Sequence, residues 1–176
     1  MGPEEAVRRT RTLHAVIDHA TERIAAVFAA AYGAILRCGQ GCTACCQDDL
    51  TVFEVEALRL RAEYAPLLDA GEPGPVGACA FLGTDGACRA YEARPYVCRT
   101  QGLPLRWLEE DGDGGGQEYR DICPLNEDPT GTPLVELEPA AFWTLGPWED
   151  QLRLIQEALD GGEGRRVPLR GLFARG

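Results

Sequence analysis

"CGQGCTACC", residues 38–46, sets four thiols within one short stretch, and four more cysteines follow at Cys79, Cys88, Cys98 and Cys123. Spacing this tight is not that of thiols scattered through a core. Disulfides are not needed at this size, because 176 residues can bury a core without covalent staples. A thiolate is a soft, negatively charged donor, and sets of four suit tetrahedral zinc or the irons of an iron–sulfur cluster. Cys38, Cys42, Cys45, Cys46, Cys79, Cys88, Cys98 and Cys123 are therefore all candidate metal ligands.

Cys45 and Cys46 are adjacent, and consecutive side chains diverge in a helix or a strand, so the pair is expected to feed two different sites. Spacing alone leaves many ways of forming two quartets. One has physical appeal: Cys38, Cys42 and Cys45 close together, with a remote Cys123 followed by Pro124, follow the layout of ferredoxin-type clusters. Cys46, Cys79, Cys88 and Cys98 then remain for a second site, and iron–sulfur is preferred to zinc as the filling. Two catalytic alternatives are weaker. Cys42 and Cys45 form a C-x-x-C pair, but the chain lacks the strand–helix alternation of a thioredoxin-like oxidoreductase. Cys38, Cys42 and Cys45 also match the spacing of radical enzymes using S-adenosylmethionine, yet here the motif follows a helix, and the chain is short for such a barrel.

Outward from the cluster, apolar residues at Leu13, Val16, Ile17, Ala20, Ile24, Val27, Phe28, Ala31 and Ile35 recur at steps of three and four. They predict a long amphipathic helix over about 3–37. Thr51 and Glu54 read as a capping box opening a second helix, with Leu50 stapled to Val55, Pro66 kinking or ending it and Gly71 closing it. "GEPGPVGA" is a linker, and Asp85–Gly86 mark a hairpin turn between Cys79 and Cys88, followed by a short turn or helix to Cys98. "LPLRWLEE" and "QEYRDICPL" read as strands around an acidic turn, "DGDGGG", that lacks the later ligands of a calcium loop. A C-terminal helix is expected over about 147–160, then a loosely held basic tail. The expected class is mainly α with a small β component, an α+β fold in a single domain spanning 1–176, its cysteine-rich hairpin and loops gathered around a metal site.

The 28 acidic against 17 basic residues give a net charge of -11, which argues against nucleic acid or an anionic membrane as partner. Every basic residue is arginine, so no lysine amine chemistry is available. Arg8 and Arg9 precede an apolar run as in a twin-arginine export signal, but Asp18, His19, Glu22 and Arg23 interrupt it. A reducing cytoplasm is the expected setting, where clustered thiols bind metal more often than they bridge.

"CGQGCTACC", "CAFLGTDGACRAYEARPYVCR" and "DICP" together resemble the CxxCxxCC, or YkgJ-like, cysteine-cluster family, a zinc- or iron-chelating domain. The likeness runs over about 38–124 and departs in the gap of three residues between Cys38 and Cys42, where many members have two. It implies metal as the partner and thiolates as the ligands. Some relatives are flagellin lysine methylases; no Gly-rich turn between strand and helix supports carrying methyl transfer over. Arg94 and Arg99, in "EARPYVCR", are expected to offset the thiolate charge by donating hydrogen bonds to sulfur. His14 and His19 fall within the helical pattern and are expected to pack or face solvent. Electron transfer or redox sensing is the leading expectation, with a structural-zinc interaction module, a metal carrier or a thiol–disulfide oxidoreductase as alternatives.

Overall fold

The computed structural model describes residues 1–32, 36–38, 41–110, 112, 115–127 and 131–173. Within them the protein is mainly helical with two small sheets. Helix α1 (Pro3–Tyr32) opens on Pro3, whose missing N–H costs nothing there, and on Glu4 and Glu5, which favour the positive end of the helix dipole. It is about 45 Å long at 1.5 Å per residue. It stops short of the expected end near residue 37. Residues 33–35 lie outside the described residues, and residues 36–38 are not helical.

Residues 51–53 correct the capping-box reading. Strand β1 (Thr51–Phe53) occupies the expected N-cap and pairs antiparallel with β5 (Arg166–Pro168), Val52 facing Val167. Helix α2 (Glu54–Ala70) starts only at Glu54, and the side chain that reaches back is Glu56, whose Oε2 accepts from the Phe53 N–H at 3.3 Å. The β-branched valines pair because the tail supplies a partner strand. That tail is not loose: Leu169, Leu172 and Phe173 are buried, and Arg170 donates to both Asp48 carboxylate oxygens at 2.9 and 2.8 Å. Held by Arg170 and the Gly77 N–H, the Asp48 carboxyl is drawn down to about 2. Pro66 kinks α2 as expected, the break falling at Tyr64 with φ -127° and ψ 26°.

The turn at Asp85–Gly86 is present, with Gly86 at φ +77° and Asp85 accepting from the Ala87 N–H, but its pairing shrinks to one bridge, Leu82 opposite Cys88. Helix α3 (Tyr96–Thr100) carries Cys98. Strands β2 (Leu105–Glu110) and β3 (Gly116–Asp121) form the expected hairpin, and β4 (Trp143–Thr144) adds parallel to β2. Asp111 and Asp113 of the acidic turn lie outside the described residues. Helix α4 (Pro147–Asp160) stops at Gly161, which takes the left-handed conformation expected of a helix terminator. No helix among the described residues is long and apolar enough to cross a membrane.

Three apolar clusters hold these elements. One joins β1, α2, the hairpin and the tail through Val52, Leu60, Phe81 and Phe173; a second joins α1, α3, β4 and α4 through Ile17, Tyr96, Trp143 and Leu152; a third lies at the far end of α1 around Phe28 and Phe142. A buried polar network runs between the first two. His14 of α1, fully buried, accepts from Arg59 at Nδ1 (2.7 Å) and donates from Nε2 to Glu56 (3.2 Å). Arginine has no acceptor, so the imidazole must be neutral with its proton on Nε2.

Burial accordingly lowers the His14 pKa, against the opposing pull of Glu56. In the unfolded chain it titrates near its ordinary 6.5. Below that pH the unfolded state binds the extra proton first, so stability is complete above 6.5 and falls as pH drops towards the lower folded value. Unfolding free energy measured from pH 7.5 to 5.5 should carry a slope of up to about 1.4 kcal/mol per pH unit that His14→Gln removes. An unchanged slope in the variant would contradict the neutral assignment.

Candidate metal centre

All eight cysteines are free thiols, and their mutual influence sorts them. Burial pushes the Cys38 thiol up, a hydrogen bond from Asn126 opposes this, and Cys42, Cys123 and Cys45 add their repulsion. Cys45 is likewise raised by burial, with Cys42 and Cys123 adding to it. Cys46 is pushed up to about 11 by burial and by Cys45, Cys79 and Cys88. Burial raises Cys88, Cys79 reinforces the effect, and Arg94 and Arg89 oppose it. Cys98 is raised furthest, by burial and then by Cys79, Cys88 and the Glu56 carboxylate, with a smaller contribution from Cys45. Two overlapping neighbourhoods follow, Cys38, Cys42, Cys45 and Cys123 in one and Cys46, Cys79, Cys88 and Cys98 in the other, with Cys45 acting on Cys46 and Cys98 of the second as well. They meet at the Cys45–Cys46 peptide.

Local structure explains the division. The Cys46 carbonyl accepts from the Cys79 N–H at 2.9 Å, beside a bridge between Gln47 and Ala78, which turns Cys46 towards the hairpin. Cys79 is buried, and Cys46 and Cys88 pack on the same apolar cluster. Cys98 is set on α3, whose first N–H, that of Tyr96, is taken by Glu56 at 2.7 Å. The other neighbourhood is built from loops. Its organiser is Asn126, 8% exposed, whose side-chain amide donates to Cys38 Sγ (3.3 Å) and to the Gly102 carbonyl (2.8 Å). Asn126 Oδ1 accepts from the Arg37 N–H at 2.7 Å, and its own N–H donates to the Cys123 carbonyl at 2.7 Å. Gly102, at φ +88°, lets Cys38 approach: a Cβ there would stand 2.0 Å from the sulfur.

As they stand, no three Cys, His, Asp or Glu side chains among the described residues are drawn close enough to hold an ion. The donor chemistry nonetheless fits zinc or iron, since each neighbourhood offers four sulfurs. Closing them requires removing protons from thiols that burial has raised, so metal uptake releases protons and strengthens with pH.

Arg94 and Arg99 both pair with Asp18 of α1, Arg94 at 3.1 Å; Arg99 also donates to the Glu92 carbonyl at 2.8 Å, and Arg94 stacks on Tyr91. The buried Nε of Arg99, and that of Arg89, have no hydrogen-bond partner among the described residues. His14 is a packing residue and His19 is exposed beside Glu22. Sequence reasoning missed Asn126, Gly102 and Arg89. Nothing in cysteine spacing signals them, because their role depends on loops distant in the chain.

A model of the CxxCxxCC family, described as "Putative zinc- or iron-chelating domain", matches residues 37–123. Over that segment the chain belongs to the CxxCxxCC family. No curated protein and no solved structure matched the chain. The CxxCxxCC segment contains all eight cysteines, and its description supports metal binding by zinc or iron. Its supports come partly from outside: Asn126 lies just beyond it, and Asp18, His14 and Arg170 lie on the flanking elements.

Proposed function

We propose that the CxxCxxCC domain chelates its metal through two sets of four thiolates, Cys38, Cys42, Cys45 and Cys123 in one and Cys46, Cys79, Cys88 and Cys98 in the other. Backbone and side-chain geometry supports this reading: the Cys46 carbonyl is tied to the Cys79 N–H beside the hairpin, whereas Asn126, on the turn after Cys123, holds Cys38. An iron–sulfur cluster is the preferred filling, which supplies a one-electron couple when bound and suits electron transfer or redox sensing. Zinc is the alternative; four thiolates close its coordination shell and make it structural. The chain's own residues prepare the charge. Arg89 and Arg94 favour the ionised Cys88, and the unpartnered Nε–H groups of Arg89 and Arg99 are donors suited to sulfur. This work belongs in a reducing cytoplasm, with the flanking helices and the cysteine loops acting as one domain.

Purification without oxygen tests the reading. A brown protein with broad visible absorption and iron bound is expected for the preferred filling; a colourless protein with zinc by elemental analysis supports the alternative. Protein that holds neither metal, and whose thiols instead pair reversibly, would refute both.

A further inference from the structure

We infer that the turn after β5, Leu169–Leu172, forms with Phe173 a strap that gates access to the Cys79 thiol, with Arg170 as its latch. The inference concerns a thiol that the proposed function uses, but it does not depend on what that thiol binds. Cys79 is the one cysteine of the eight that is buried. It shares a single apolar cluster with Phe81, Leu169, Leu172 and Phe173, so the strap's side chains are part of what keeps water and reagents from the sulfur. The Phe173 ring lies 5.1 Å from that of Phe81, two residues after Cys79, and 5.3 Å from the guanidinium of Arg89, next to Cys88. A soft metal ion or an electrophile bound for Cys79 must wait for the strap to lift.

The latch grips the two chain segments that meet at this thiol. Arg170 donates to both Asp48 oxygens, and also to the carbonyls of Gly74, Pro75 and Ala78 at 2.8, 3.0 and 2.8 Å. Asp48 stands two residues beyond Cys46, whose carbonyl takes the Cys79 N–H at 2.9 Å, and Ala78 directly precedes Cys79. Apolar packing alone is non-directional; a planar guanidinium with five acceptors fixes the strap in one position. Behind the latch the fastening is light. Pairing of β5 with β1 stops at Pro168, and among the described residues the last backbone bond from the strap to the rest of the fold is that of the Leu169 N–H to the Leu50 carbonyl, 2.9 Å. Lifting the strap while β5 stays paired exposes far less surface than unfolding the chain, so the opening is local.

Iodoacetamide is the probe, applied to the full reduced chain in a chelator so that no bound ion shields a thiol, with each cysteine's rate read by peptide mass spectrometry. In the parent, Cys79 should react about tenfold or more slowly than the exposed Cys38. Arg170→Ala should raise the Cys79 rate roughly tenfold or more, while amide exchange of α1 around the buried Ile17, in a different apolar cluster, stays at the parent's rate. Asp48→Asn removes the charge but keeps the three carbonyls, so it should raise the Cys79 rate by a smaller factor, roughly 3- to 10-fold, and it decides the matter if Arg170→Ala does not fold. A Cys79 rate unchanged in the folded variants would mean that the strap does not cover the thiol. Amide exchange at Ile17 rising in step with Cys79 would mean that Arg170 only stabilises the fold as a whole. Either result overturns the gate, as does a parent whose Cys79 reacts as fast as Cys38. Metal content, measured without the chelator, tests the proposed function separately.

Discussion

Glu56→Ala should cost about 3–5 kcal/mol of unfolding free energy, the largest loss expected from any single substitution outside the apolar core. Glu56 is 4% exposed, and its carboxyl oxygens take three donors from three parts of the fold. Oε1 accepts from His14 Nε2 and the Tyr96 N–H, and Oε2 accepts from the Phe53 N–H. Truncation orphans all three in places water reaches poorly, each worth about 1–3 kcal/mol when buried without a partner. Glu56→Gln keeps acceptor oxygen at one position and should lose roughly half as much. Urea unfolding measures both. The effect should also reach the cysteines, because the Tyr96 N–H anchors the start of the helix that carries Cys98, so Cys98 should alkylate faster in Glu56→Ala. A loss below about 1 kcal/mol would mean that the three donors find other partners.

Glu56 also shows where sequence reading stops. The period of α1, the kink before Pro66, the β2–β3 hairpin and the glycine end of α4 are local patterns, and each was legible because the residues that decide it are neighbours in the chain. Thr51 misled for the opposite reason. Its capping signal is real, but β5 arrives from residues 166–168 and pairing with Val167 outweighs the cap. The same distance hid the tail, whose Arg170 looks like one surface arginine among many until Asp48 is placed beside it. In the site, the divergence of Cys45 and Cys46 was readable from backbone geometry, since adjacent side chains cannot share a centre easily. Asn126 and Gly102 were not, because a carboxamide and a glycine carry no spacing rule; only the meeting of three loops at Cys38 gives them meaning.

Gly102→Ala puts that meeting to the test. At φ +88° any L-residue is strained, by about 1–2 kcal/mol, and here the added Cβ would also stand 2.0 Å from Cys38 Sγ and 3.2 Å from the Asn126 amide nitrogen. The sulfur cannot stay where Asn126 holds it. Gly77 supplies the control: its φ is +87°, and nothing lies within 4 Å of a Cβ placed there. Both alanine variants should therefore lower stability by a similar strain, read as a shift in thermal midpoint. Only Gly102→Ala should lose metal, about one of two equivalents by elemental analysis, because Cys38 is displaced while Cys46, Cys79 and Cys88 remain packed on the core and Cys98 stays on α3. Equal metal content in the two variants would show that Cys38 is not a ligand, and would leave Cys42, Cys45 and Cys123 as the thiols of its proposed set. The position is informative because backbone strain and sulfur contact, usually inseparable at a glycine, are separated here by a second glycine with the first property and not the second.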